Sequence, residues 1–158
     1  MKTISLSRGS FALVDDEDYG RISSHNWWCH SEGYAVRQQT IDGKRTIIYM
    51  ERQILGLGPK RLDKRSVDHD NHNGLDNQKG NLRVCSHGQN CYNRSRYNKT
   101  GYKGVTAHAS GFTAKIKFNK RLIRLGCHPT AELAHEMYCL AADMLHGEFA
   151  NHYCKRIL

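Results

Sequence analysis

The six cysteines of this 158-residue chain, at 29, 85, 91, 127, 139 and 154, include no CxxC pair, so the commonest pattern of structural zinc and dithiol sites is missing. No stretch approaches the roughly 20 apolar residues of a membrane span, and the opening MKTISLSRGSF lacks the apolar run of a signal peptide. These absences predict a soluble, cytoplasmic protein with reduced thiols. Acid is scarce too: fifteen Asp and Glu stand against twenty-four Lys and Arg, a formal charge of +9. Such a surplus favours a polyanionic partner, nucleic acid first, over neutral ligands. The length allows one sizeable core or two small ones without disulfide staples.

Short strand-like runs fill the N-terminal third: FALV at 11 to 14, WWCH at 27 to 30, YAVRQ at 34 to 38 and RTIIYM at 45 to 50. The last two flank IDGK, and Asp-Gly between alternating segments predicts a hairpin whose central residues take positive φ. DDEDYGRIS, between the first two runs, reads as one or two helical turns with structural acids near the N-terminal end of the macrodipole. At least one of Trp27 and Trp28 belongs in a core.

What is abundant is polar and local. The stretch VDHDNHNGLDNQKGNLRV, residues 67 to 84, has no apolar periodicity. It is a solvated loop, a cluster of metal ligands or a catalytic centre. LRV at 82 to 84 reads as a strand, and Ser86-x-x-Gln89 has the form of a capping box, so a helix starts there with Asn90 in its first turns. The order is strand ending near Asp68 and His69, long loop, strand, helix. Phosphodiester hydrolysis needs a base to deprotonate water, a divalent cation to offset charge, and something to orient the base. His69 is mostly neutral at cellular pH if unperturbed. A helix packed across the strand pair brings Asn90 beside Asp68, and two oxygen ligands suit Mg²⁺ or Mn²⁺ better than Zn²⁺. The neighbouring Cys85, His87 and Cys91 match no common zinc spacing and read better as small buried groups.

The run VDHDNHNGLDNQKGNLRVCSHGQNCYNR, residues 67 to 94, resembles the ββα-metal core of the HNH endonucleases in the variant whose last His is Asn. The Asp-His pair, the GLDN turn, the NLR strand entry and the QNxxNR helix carry the likeness. The resemblance implies His69 as general base, Asn81, twelve residues on, as the constraint on the loop and on His69, and Asp68 with Asn90, twenty-one after His69, as ligands of one Mg²⁺ or Mn²⁺. His72 and His87 receive no role from it. The family often carries Met-His-Arg upstream of the core, where this chain has Met50-Glu51-Arg52. SRGSFALVDDEDY near the N-terminus is similar to the leader of phage HNH endonucleases.

NRSRYNKT, residues 93 to 100, holds three basic residues, Arg94, Arg96 and Lys99, and no acid, and reads as a basic linker. YKGVTA, FTAKIKF and RLIRLG then supply three strands, the last two joined by a tight Asn119-Lys120 turn. A helix follows over about 131 to 146, capped by Thr130. Its stripe of Leu133, Met137, Leu140, Ala141, Met144 and Leu145 is predicted to be core. The pleat of FTAKIKF puts Phe112, Ala114, Ile116 and Phe118 on one face and Thr113, Lys115 and Lys117 on the other. Lys103 and Arg124 extend that cationic face, and these strands contain no acid. Residues 101 to 152 resemble the ethylene-response-factor (APETALA-type) DNA-binding domain, through GYKGV, FTAKIKF, RLG, TAELAHEMYCLAA and HGEFAN. By that resemblance the sheet enters the major groove of double-stranded DNA, with Lys103, Lys115, Lys117 and Arg124 as contacts and Arg94 and Arg96 alongside.

The expectation is an α+β chain: a β-rich segment and HNH nuclease domain over 1 to 93, its core 67 to 93; a basic linker over 94 to 100; an APETALA-type domain of three antiparallel strands on one helix over 101 to 152; and a tail over 153 to 158. Its function is metal-dependent DNA cleavage of the phage or mobile-element homing type. The alternatives are a non-catalytic DNA-binding regulator on a nuclease scaffold and a structural zinc module at 67 to 93. One site per chain makes a nick natural for a monomer, a dimer would cut both strands, and the sequence reports neither.

Overall fold

The computed structural model describes residues 1–94 and 98–152. The fold is α+β, and the chain forms two compact units, Met1–His87 and Gly88–Leu158. No helix among the described residues is long and apolar enough to cross a membrane.

In the first unit β1 (Lys2–Ser7) and β2 (Phe11–Val14) pair antiparallel. After α1 (Asp16–Ser23), β3 (Trp27–Cys29) lies parallel to β1, and β4 (Ala35–Ile41) and β5 (Lys44–Tyr49) complete a five-stranded sheet in the order β2-β1-β3-β4-β5. Ile4 and Leu6 alternate inward with Ala12, Val14, Ile22, Trp27 and Ala35 to make its core. The hairpin between β4 and β5 turns on Asp42 (φ 50) and Gly43 (φ 70), the left-handed pair that such a turn demands. Trp27 is buried and donates from Nε1 to the Ile22 carbonyl at 2.8 Å, while Trp28 is half-buried. The acids of α1 are structural. Asp16 holds the N-terminal amine at 2.9 Å, and buried Asp18 pairs with Arg21 and Lys79. A short helix α2 (Met50–Ile54) follows β5, then the hairpin strands β6 (Ser66–His69) and β7 (Leu82–Cys85), in antiparallel register with Asp68 opposite Arg83. Helix α3 (His87–Asn93) begins directly after Ser86, and the division between the units falls inside it.

The second unit carries the antiparallel sheet β10-β9-β8, from β8 (Val105–His108), β9 (Gly111–Phe118) and β10 (Arg121–His128). Asn119 (φ 47) and Lys120 (φ 66) form the tight turn between the last two. Helix α4 (Ala131–His146) starts where Thr130 accepts from the Leu133 amide at 3.2 Å. It packs on β9 through Ala131, Ala134, Tyr138 and Ala142. Gly104 makes this close approach possible, since a Cβ there would lie 2.0 Å from the Tyr138 ring.

One expectation about this helix is corrected. The stripe expected in the core faces outward: Leu133 is 40% exposed, Met137 36%, Leu140 57% and Met144 86%. Only Ala141 and Leu145 of that set are half-buried against the core. The sheet is three strands wide and the helix lies close to it, so alanines fill the contact and the bulkier side chains are turned away.

Candidate active site

The Asn-rich segment between β6 and β7 is folded by its own side chains. Asp70 N–H donates to the Asn81 carbonyl at 3.0 Å, and the His72 amide closes a turn onto the His69 carbonyl at 3.0 Å. Asn71 Oδ1 accepts from Asn73 N–H at 2.9 Å, and Asn73 Oδ1 accepts from Leu75 N–H at 3.1 Å, the local side-chain bonds that make Asn a turn former. Asn81 braces the segment from both ends of its amide, accepting from Asn71 N–H at 3.0 Å and donating to the Asp76 carbonyl at 2.8 Å. Two backbone bonds of 2.8 Å tie Leu75 and Asn77 to Leu13, and Asp15 accepts from the Lys79 amide at 2.8 Å. This loop is therefore anchored to β2 and the start of α1.

At the end of β6 the adjacent Asp68 and His69 are each 5% exposed. His69 Nε2 lies 3.2 Å from Oδ1 of Asn77, which is itself fully buried. With the amide oxygen accepting, Nε2 carries the proton and Nδ1 the lone pair. Tyr34 packs against the imidazole at 5.7 Å between ring centroids, and Gly74 is what admits Tyr34: a Cβ there would fall 2.8 Å from the Tyr34 ring and 2.5 Å from the Gly33 carbonyl oxygen. Burial lowers the His69 pKa, against the raising effects of the Asn77 bond and of Asp68 and Asp76. The ring is thus kept neutral, the form in which it accepts a proton.

Asp68 is held by Arg83 from the facing strand at 2.5 Å, and the same guanidinium reaches Asp70 at 2.8 Å. Arg83 thereby fixes the orientation of the carboxylate. Asn90 is half-buried on α3, in the part of the helix that belongs to the second unit. Asp68 offers a carboxylate oxygen and Asn90 an amide oxygen, each a hard donor of the kind that Mg²⁺ or Mn²⁺ takes alongside bound water. Among the described residues no three His, Cys, Asp or Glu side chains converge, and Cys85, His87 and Cys91 form no such group.

The structure gathers Asp68, His69 and Asn81 about one hairpin in the first unit. Of the expected DNA contacts, Lys117 and Arg124 are exposed and Lys115 half-buried, with Arg124 opposite Lys115 in the register of β9 and β10. Arg121 is exposed on the same strand pair. An Arg124 nitrogen donates to Cys127 Sγ at 2.7 Å, and bonds from Thr113 and Arg124 hold the Cys127 thiol below its ordinary pKa. Lys103 departs from the expected cationic face: it is buried, and its ammonium donates to the Tyr92 carbonyl, leaving it no reach toward a groove. Arg94 is exposed after α3, and Arg96 lies outside the described residues.

Two site residues escaped the sequence reading. Arg83 becomes visible only when the strand register sets it opposite Asp68. Asn77 sits in the GLDN turn, but its contact with His69 depends on how the loop closes. Upstream, Glu51, where the family often has His, is 4% exposed with Oε2 unpartnered, and burial raises its pKa to about 7.

An uncharacterized HNH endonuclease of Acanthamoeba polyphaga mimivirus is 30% identical to this chain over 148 residues, which cover 93% of the chain and 76% of that relative. No family model matches the sequence. No solved structure matches it either.

Proposed function

The chain belongs to the HNH endonuclease family, and from that premise we propose that it is a metal-dependent endonuclease hydrolysing phosphodiester bonds of double-stranded DNA. The observation that carries the reading is the buried Asp68–His69 pair at the end of β6, with the imidazole held by Asn77 and the carboxylate by Arg83. In this reading β6, β7 and α3 form a ββα-metal core, and Asp68 and Asn90 hold one Mg²⁺ or Mn²⁺. The cation supplies charge neutralisation at the scissile phosphate and the leaving oxygen. His69 takes the proton from the attacking water at Nδ1, because Asn77 engages Nε2 and fixes the ring against rotation. Asn81 acts at one remove, by fixing the loop that carries Asn71 and Asp76.

The second unit is the DNA reader, an APETALA-type domain whose sheet lies in the major groove with Lys115, Lys117 and Arg124 toward the bases or phosphates and Arg94 and Arg96 on the backbone. Lys103 is left out of this set because its ammonium is committed inside the unit. The reading includes a cytoplasmic site of action and a phage or mobile-element homing role. The homing role is supported by the viral source of the relative.

The test is conversion of supercoiled plasmid and of phage or host genomic DNA by the full chain with Mg²⁺, with Mn²⁺ and with EDTA. Cleavage that appears with the cation and vanishes with EDTA is the expected result. Salt-sensitive DNA binding with no cleavage of any substrate would instead make the protein a regulator on a nuclease scaffold.

A further inference from the structure

Between α2 and β6 the chain runs through GLGPKRLDKR, residues 56 to 65, with no helix or strand. Such a loop is ordinarily loose, yet this one is wrapped round a buried cation. Arg52 is 1% exposed, and its guanidinium donates to the carbonyls of Gly58 at 2.7 Å, Arg65 at 2.6 Å and Asp63 at 3.1 Å. Burying a guanidinium costs several kcal/mol unless its donors are satisfied, and here three loop carbonyls satisfy them. Pro59 adds a turn by accepting from the Leu62 amide at 2.8 Å and the Asp63 amide at 2.9 Å. Arg61 staples the loop to the β4–β5 hairpin tip, donating to Thr46 Oγ1 at 3.2 Å and lying 3.5 Å from Asp42.

This scaffold presents exposed lysines. Asp63 is engaged by Arg65 at 2.7 Å with Arg52 beyond it, Asp42 by Arg61, and the field of Lys60 reaches the buried Glu51. Lys44 at the hairpin tip and Lys60 and Lys64 on the loop are exposed, and no carboxylate lies within ion-pair distance of any of them among the described residues. Lys60 is set in place by the Tyr49 ring, 3.8 Å below its ammonium. A solvated face mixes signs and leaves its side chains mobile. Here Lys60 and Lys64 stand on a loop braced by Arg52 and Arg61, with Lys44 on the adjoining hairpin, and a polyanion is held by such charges through the release of its counterions.

We propose that Lys44, Lys60 and Lys64 form a second docking surface, in the first unit, for the phosphodiester backbone of duplex DNA. It rests on the nuclease reading, and it gives the unit that carries His69 its own grip on the substrate, independent of the β9–β10 sheet. Lysines serve this purpose as point charges on phosphate, which position the duplex without reading its sequence.

The experiment is fluorescence anisotropy of a labelled duplex in EDTA over a salt series. It compares full-length wild type, K44Q/K60Q/K64Q and K115Q/K117Q. The ridge variant is expected to flatten the slope of log affinity against log salt by about one unit per lysine, and to weaken binding at fixed salt by about tenfold or more. Its effect adds to that of the sheet variant. A ridge variant with the wild-type slope, beside a sheet variant whose slope is flattened, overturns this proposal and leaves the nuclease reading standing. Loss of binding to anionic lipid vesicles with DNA binding intact also overturns it, making the ridge a membrane face. A wild type without salt-sensitive DNA binding removes both readings. If the triple variant melts early, Lys64→Gln alone carries the test, with a slope change of about one unit expected and none overturning it.

Discussion

The two units bury different kinds of polar group. The first encloses ionisable and amide groups, Asp18, Glu51, Arg52, Asp68, His69 and Asn77 among them, and satisfies most of them with loop carbonyls or facing charges. The second also buries polar groups, Lys103, His135, His146 and Asn151 among them, but no carboxylate among its described residues; it ties them to backbone carbonyls, packs alanines, Ile116 and Tyr138 between sheet and helix, and leaves Leu140 and Met144 in water. A buried carboxylate is costly unless paired, so Asp68 beside His69 at the end of β6 marks a candidate for chemistry, whereas the exposed face of α4 follows from close packing on a small sheet.

The comparison breaks first at Asp68. Asp68→Ala should lower cleavage by roughly 10² or more and leave DNA affinity within about threefold, measured by single-turnover cleavage beside anisotropy. A loss of binding as large as the loss of cleavage would mean that the first unit's buried charge serves recognition instead.

Glu51 sharpens it next. Its folded pKa of about 7 lies above the ordinary 4.5 because of burial. Below the unfolded pKa the carboxyl is neutral in both states and costs nothing. As pH rises from about 4.5 to about 7 the unfolded chain ionises and the folded one does not, so stability falls. Above pH 7 the full penalty, about 3 kcal/mol, is present. Glu51→Gln should therefore match wild type near pH 4.5 and exceed it above pH 7 in denaturant melts. A pH-independent difference would show that the carboxyl is not the buried acid described.

In the second unit, Lys115→Gln or Lys117→Gln should weaken DNA binding by about 1 to 3 kcal/mol if a base edge is contacted and flatten its salt dependence. An unchanged slope would mean that the sheet faces elsewhere. The smallest effect is on the outer face of α4. Met144→Lys should shift stability by no more than about 0.5 kcal/mol, against about 1 to 3 kcal/mol for overpacking by Ala142→Leu. Equal losses would put the stripe back in a core.

Much of this was legible. Asp42-Gly43 and Asn119-Lys120 announce their hairpins because the turns need positive φ, and Thr130 marks the start of α4. The order of strand, loop, strand and helix from 66 to 93 followed from where apolar residues stop and resume. β1 escaped because its two inward residues, Ile4 and Leu6, sit among Ser and Thr, and because part of its pairing, to Trp27 and Trp28, is parallel and distant. Five-residue α2 is too short to show a period. Periodicity found the stripe on α4 but not the direction in which it points, since the opposite face is also able to pack, through alanine, tyrosine and histidine. At the candidate site, the resemblance pointed to Asp68, His69 and Asn81. It did not reveal Asn77 or Arg83, because their contacts arise from loop closure and strand register.

The central claim is that His69 performs the proton transfer while the rest of the surface holds DNA. On a single duplex, cleavage with Mg²⁺ and affinity in EDTA would be measured for wild type and His69→Ala. The account predicts cleavage reduced by a factor on the order of 10² to 10⁴ with affinity unchanged. Equal cleavage by the two proteins would contradict it.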